Sequence, residues 1–138
     1  MKVSLNKVLQ AFLSIRNMQQ AKCSNKWAYA ITKNKAKMQS DIDGIAKSEE
    51  KFMAITKEQN KYVQDFGDVD KNGQKVVSED DAGILEIQER FIKEYEAHSE
   101  LLKTEVEIDL AMISFEEVPK EISQLDFENL SIMIAEPK

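Results

Sequence analysis

Between Asn25 and Phe66 apolar side chains recur at steps of three and four. The line runs through Ile31, Lys35, Met38, Ile42, Ile45, Glu49, Phe52, Ile55, Gln59, Tyr62 and Phe66, with Trp27 one step before it. A seam of that period predicts one long amphipathic helix over 25–66. At about 1.5 Å per residue the helix would run roughly 60 Å, so it needs partners along its length. Lys35, Glu49 and Gln59 interrupt the seam and predict a mixed interface rather than a dry zipper.

The flanking pattern supplies candidate partners. Lys2 to Leu5 alternates as a short strand, Asn6 is a plausible N-cap, and Val8, Leu9, Phe12, Leu13 and Arg16 form one face of a first helix fading near Asn17 to Gln20. Ser24 or Asn25 caps the long helix, which passes through Gly44 at a cost of about 1 kcal/mol relative to Ala. Gly67 stops it. Asn72-Gly73 between Val-bearing flanks predicts a turn or hairpin in 67–78, and Ser78 ahead of Glu79, Asp80 and Asp81 predicts the start of a third helix ending near Thr104. Its stripe is Ile84, Ile87, Phe91, Tyr95, His98 and Leu102.

Beyond it the period changes to two. Val106, Ile108 and Leu110 alternate with Glu105, Glu107 and Asp109 as a half-buried strand suited to pair with Lys2 to Leu5. Ser114 opens a short helical turn before Pro119. Ser123 caps a last helix whose inward residues are Leu125, Phe127, Leu130, Met133 and Ile134. The fold class expected is mainly α: a long central helix in an antiparallel, coiled-coil-like helical hairpin, a short N-terminal helix, a small two-stranded β element and a short C-terminal helix. The expected organisation is a single elongated helical domain over 1–138. Helix three, turning back after the Asn-Gly loop, would cover about Gly44 to Phe66, and helix one the first half. Met53, Tyr29 and Val63 lie off the seam and two helices enclose no core, so a homodimer or higher oligomer through the long helix is expected.

Composition narrows the class. The 138 residues are 42% hydrophobic and 32% charged, with one cysteine, no apolar run near 18 residues, and an N-terminus unlike a secretory signal. These imply a soluble, cytoplasmic protein without a membrane role. The net charge of −6 is polarised. Residues 1–40 hold eight basic side chains and no acidic one, whereas 41–138 hold eleven basic and twenty-five acidic. The acidic tail, 105–138, would leave helix three near the basic half of the long helix, and internal charge pairing is the expectation.

Several chemistries can be weighed from residue types. Asp68, Asp70, Asn72, Gly73 and Glu79 match the spacing of an EF-hand calcium loop, but Lys75 and Val76 fill its eighth and ninth places and no second loop exists, so an Asp/Asn/Gly turn explains it as well. His98 and Cys23 are single and far apart. They read as a core-edge residue and a small hydrophobe, not a zinc or catalytic set. Glu86, Glu89, Glu94, Glu96 and Glu100 surround a helix as solvated faces do, with ion pairs to Arg90 and Lys93. With four glycines and no phosphate loop, no metal, cofactor or catalytic residue is expected and the chain is not read as an enzyme. The best candidate surface is Lys22, Lys26, Trp27, Tyr29, Lys33, Asn34, Lys35 and Lys37, where Trp27 and Tyr29 would stack on a base or nucleotide and the lysines meet phosphate. The alternative is that Trp27 fills the junction of helix one and the long helix.

Lys26-Trp27-Ala28-Tyr29-Ala30-Ile31-Thr32-Lys33-Asn34 at the head of a long helix, the Asp70-Lys71-Asn72-Gly73 insertion, and Glu100 to Ile108 before a short acidic tail resemble a family of small uncharacterised helical proteins. That family is encoded by tailed phages and prophages of Gram-positive bacteria. The resemblance implies a phage origin, a small helical protein and no catalytic residues. Two roles suit such a chain. One is a host-interaction or anti-defence inhibitor that binds a bacterial protein or sequesters a nucleotide signal. The other is a virion-assembly accessory such as a scaffold, tail chaperone or connector protein. Nucleic-acid binding through 1–40 is a weaker third option.

Overall fold

Ser4 ends the first strand in an extended conformation, and its Oγ accepts a hydrogen bond from Lys7 N–H at 3.2 Å, so it caps helix α1, Leu5–Asn17. The structure is a computed structural model that describes residues 1–18 and 23–135. The cap expected at Asn6 therefore falls two residues earlier: Asn6 already lies in the first helical turn. The buried face is also rotated from the expected one. Leu5, Val8, Ala11, Phe12, Ser14 and Ile15 point inward, while Leu13 and Arg16 are exposed and Leu9 is half-buried. The small residues explain the rotation. Ala11 and Ser14 allow close approach of helix α4 (Gln124–Asn129), whose Asn129 amide donates to Ser14 Oγ at 3.0 Å.

The molecule is mainly helical. Helix α2 spans Asn25–Phe66 and helix α3 spans Ala82–Lys103. Contacts divide the chain into two compact units, one of Met1–Gly44 with Leu102–Lys138 and the other of Ile45–Leu101, so α2 contributes to both.

In the first unit, strand β1 (Lys2–Ser4) pairs with β4 (Glu105–Glu107), as expected of the two segments, antiparallel and in the register Val3 to Val106, and the alternation continued to Leu110 is strand only as far as Glu107. The α1 face, Trp27, Ala30, Ile31 and Met38 of α2, and Ile108, Leu110, Leu130 and Met133 form one apolar core. A second ladder, unforeseen in the sequence, joins β5 (Ile113–Ser114) to β6 (Ile134–Ala135) in parallel. The 3₁₀ turn expected before Pro119 is present at Phe115–Glu117, and Ser123 caps α4 through the Asp126 N–H. Leu125 departs from expectation: it is 66% exposed, because α4 is only six residues long and turns Phe127 and Leu130 inward instead.

Among the described residues no ion pair is formed between the basic half of α2 and the acidic tail. The polar contacts there run to main-chain atoms of the tail. Asn34 bonds the backbone of Ala111, and Lys37 Nζ donates to the Asp109 carbonyl. The side chains of Glu105, Glu107 and Asp109 are exposed, and Glu107 Oε1 accepts a hydrogen bond from the Met1 ammonium at 2.6 Å rather than from a lysine of α2.

In the second unit, α2 and α3 form the expected antiparallel hairpin. The pairs Ser48–His98, Phe52–Tyr95, Glu58–Arg90 and Tyr62–Asp81 descend one helix while climbing the other. Ile45, Ile55, Ile84 and Ile87 are buried, and the Phe52 ring meets Phe91, Tyr95 and His98 edge-on at 5.0–5.9 Å. Gly67 ends α2, and strands β2 (Asp68–Val69) and β3 (Lys75–Val76) make the hairpin read from Asn72-Gly73, with Gly73 at φ 78°. Helix α3 begins at Ala82, later than the Ser78 cap implied. The Ser78 hydroxyl donates to Asp80, and Asp81 takes the capping role by accepting the Ile84 N–H at 3.0 Å.

Candidate functional site

Ser24 Oγ accepts the Trp27 N–H at 3.2 Å and so opens α2. That start fixes which side of the first turns faces the core. Trp27 is fully buried among the core residues, and its indole Nε1 has no hydrogen-bond partner among the described residues. It packs with the α1 face, the alternative weighed from the sequence, and presents no stacking face, so it leaves the candidate surface. Asn34 is also fully buried. Its Nδ2 donates to the Ala111 carbonyl at 3.0 Å and lies 3.5 Å from Met133 Sδ, while its Oδ1 accepts the Ala111 N–H at 2.6 Å. Asn34 is therefore a structural clamp and leaves the candidate set for the same reason, burial.

The remaining members share a different side. Lys26, Tyr29, Lys33 and Lys37, spaced by three, four and four, are exposed along one face of α2, about 16 Å from end to end. Tyr29 is 66% exposed, and Lys33 Nζ sits 5.8 Å from its ring centroid. Lys35 is half-buried on another side, its Nζ 5.9 Å from the Phe12 ring centroid. Lys22 lies outside the described residues. What the structure brings together is thus a basic stripe around one open tyrosine.

The other sequence candidates resolve into local structure. Asp70 Oδ1 accepts the N–H groups of Asn72 and Gln74, each at 2.9 Å, and so holds the turn of the β2–β3 hairpin. Within the stretch of EF-hand spacing, Asp68 to Glu79, β2 and β3 pair as a hairpin. Among the described residues no group of three His, Cys, Asp or Glu side chains is placed to hold a metal ion. His98 is buried, with Nδ1 2.9 Å from Ser48 Oγ. Cys23, expected to behave as a small hydrophobe, is exposed, because it precedes the capped start of α2.

A second surface was legible only in part: Met53 and the Arg90 ion pair were read from the sequence, Leu85, Ile92 and the Glu58 contact were not. On the hairpin of the second unit, one side carries a charged network in which Arg90 donates to Glu58 at 2.7 and 2.8 Å and to Glu86 at 2.6 Å. The guanidinium holds the Glu58 carboxyl below its ordinary value, and the two carboxylates push Arg90 further up. On the other side Met53, Leu85, Ile92 and Tyr95 are each 44–54% exposed, with exposed Gln88 between Leu85 and Ile92. The signal was the seven-residue step from Leu85 to Ile92, one position off the stripe that faces α2. In the first unit, Phe115, Val118, Pro119, Ile122 and Phe127 line an open cleft of about 470 Å³. No family model, curated protein or solved structure matches the chain. Among the described residues no helix is long and apolar enough to cross a membrane.

Proposed function

We propose that this chain is a non-enzymatic, phage-encoded binding protein of the host-interaction or anti-defence kind, and that it engages an acidic surface of a bacterial protein through Lys26, Tyr29, Lys33 and Lys37. The observation that carries the reading is the stripe itself. Three lysines and an exposed tyrosine share one helical face, in a stretch of forty residues without a carboxylate side chain. Such a face attracts an anionic partner and offers an amphipathic ring at its centre. Tyr29 stands in the open, which suits an extended protein surface better than a sequestered nucleotide. The phage origin rests on the resemblance of Lys26 to Asn34, Asp70 to Gly73 and Glu100 to Ile108. Virion assembly is the second reading, favoured by the exposed apolar side chains of the hairpin.

The test is affinity capture from infected cells with wild type and the double variant Lys26→Glu/Lys33→Glu, which leaves the bond from Lys37 to the Asp109 carbonyl in place. Host-interaction predicts one bacterial protein recovered at fixed stoichiometry and lost with the variant. Recovery of capsid or tail proteins instead supports assembly. Binding to DNA that weakens steeply with salt supports the nucleic-acid alternative.

A further inference from the structure

Two tight turns in the first unit build a cleft. The Phe115 carbonyl accepts the Val118 N–H at 3.2 Å, and the Pro119 carbonyl accepts the Ile122 N–H at 3.2 Å, before Ser123 caps α4 through the Asp126 N–H. Phe127, carried by α4, meets Phe115 edge-to-face, with ring centroids 5.8 Å apart and planes at 82°. These two rings, with Val118, Pro119 and Ile122, wall the open cleft of about 470 Å³, a volume in the range of preformed ligand sites. Phe115 is 48% exposed, so an aromatic wall faces solvent.

The border of the cleft is acidic. Residues 104–135 hold eight carboxylate side chains and a single basic one, Lys120. Glu116 and Lys120 stand at the cleft itself, and Pro119 and Ile122 also line an adjoining pocket of about 260 Å³ that includes Glu121 and Asp126. Among the described residues Glu116, Glu121 and Asp126 form no ion pair. We propose that the cleft docks a basic peptide segment of a partner protein, with an aromatic side chain seated between Phe115, Pro119 and Phe127 and a neighbouring lysine or arginine over Glu121 and Asp126. The perpendicular rings offer one face and one edge to a third ring. Charge selects this occupant over other apolar ones: an acidic segment is repelled and a neutral one leaves the carboxylates unpaired, whereas a cation beside the anchor gains from them and is steered to the cleft from solution. The sign is opposite to that of the stripe of Lys26, Tyr29, Lys33 and Lys37, so the cleft takes a different partner chemistry and does not depend on the function proposed for that stripe.

The experiment titrates the full chain with acetyl-Lys-Phe-Lys-amide, acetyl-Glu-Phe-Glu-amide and acetyl-Phe-amide, followed by backbone amide shifts in NMR. The basic peptide should shift the amides of residues 115–127 and half-saturate at about 1 mM or below. Binding should be at least about tenfold weaker for the acidic peptide, and for the basic peptide on Phe115→Ala. Glu116→Lys/Glu121→Lys, at two exposed positions, repeats the test should Phe115→Ala lose its helices by circular dichroism, and should weaken the basic peptide by a similar factor. No shifts, shifts confined to other residues, or an equal response to the basic and acidic peptides overturn the inference. Equal binding of acetyl-Phe-amide would make the cleft a site for a small apolar ligand, and a dimer by light scattering that Phe115→Ala dissolves would make its occupant a second copy; either result overturns the basic peptide. Lys26→Glu/Lys33→Glu should leave the titration unchanged, so failure at the cleft and failure at the stripe are read separately.

Discussion

Asn34 shows how one side chain can do the work of a neighbouring strand. Its carboxamide offers a donor and an acceptor in one plane, and the Ala111 peptide groups use both, at 3.0 and 2.6 Å. Without it a carbonyl and an N–H at the edge of the core would lack partners, and each unsatisfied buried group costs about 1–3 kcal/mol. Asn34→Ala should therefore destabilise the protein by about 2–4 kcal/mol, read as a lower denaturant midpoint. A change under about 0.5 kcal/mol, the range of ordinary surface substitutions, would refute the clamp. The sequence hid this role for a geometric reason. The line from Ile31 to Met38 passes through position 34 or 35, and a heptad step selects Lys35, whereas the 3.6-residue period turns Asn34 inward and leaves Lys35 half-buried. Trp27, for which the sequence left both a stacking and a core role open, is a related case. Lysines surround it in sequence, yet on the helix they point elsewhere.

At the scale of elements, the ends of α3 and α2 are tied by one carboxylate. Asp81 Oδ1 accepts the Tyr62 hydroxyl at 2.6 Å and the Ile84 N–H at 3.0 Å, joining the helix cap to the opposite helix. The Tyr62 hydrogen bond, followed by the Ile84 N–H, lowers the Asp81 pKa, while the bond to Asp81 and then burial raise that of Tyr62. The lowered carboxyl contributes stability that is complete above its ordinary value and is lost as pH falls through the folded value. The raised phenol contributes below its ordinary value and loses that as pH rises through the folded one. The tie thus operates between the ordinary aspartate and tyrosine ranges. Tyr62→Phe should raise the Asp81 pKa toward its ordinary value, followed by carboxyl NMR titration, and the first turn of α3 should fray at a higher pH than in wild type. An unmoved Asp81 titration would show that the N-cap alone sets it. This tie lay beyond the sequence, since it joins residues nineteen apart that only the antiparallel docking brings together. The hairpin itself was legible from the seam of α2, the stripe of α3 and the Asn72-Gly73 turn, because each reports local periodicity or local φ preference. The parallel Ile113–Ile134 ladder was not. Strands two residues long carry no period to detect.

For the molecule as a whole, the critical position is the one where the division into two units crosses the long helix. The first unit ends at Gly44 and the second resumes at Ile45, yet α2 continues through both residues without a break. Gly44 is exposed, and a Cβ built there would meet nothing within 4 Å. No close approach or positive φ calls for glycine at this point, unlike Gly73, or Gly67, where a Cβ would lie 2.9 Å from the Val76 carbonyl oxygen. Its remaining effect is entropic: glycine within a helix costs about 1 kcal/mol against alanine, through the freedom it has in the unfolded chain. Gly44→Ala should raise stability by about 1 kcal/mol by denaturant titration and slow amide exchange of residues 41–48 roughly fivefold. A neutral or destabilising result would mean that the helix bends or opens at Gly44 in solution. The substitution touches none of Lys26, Tyr29, Lys33 and Lys37, so partner capture should be unchanged.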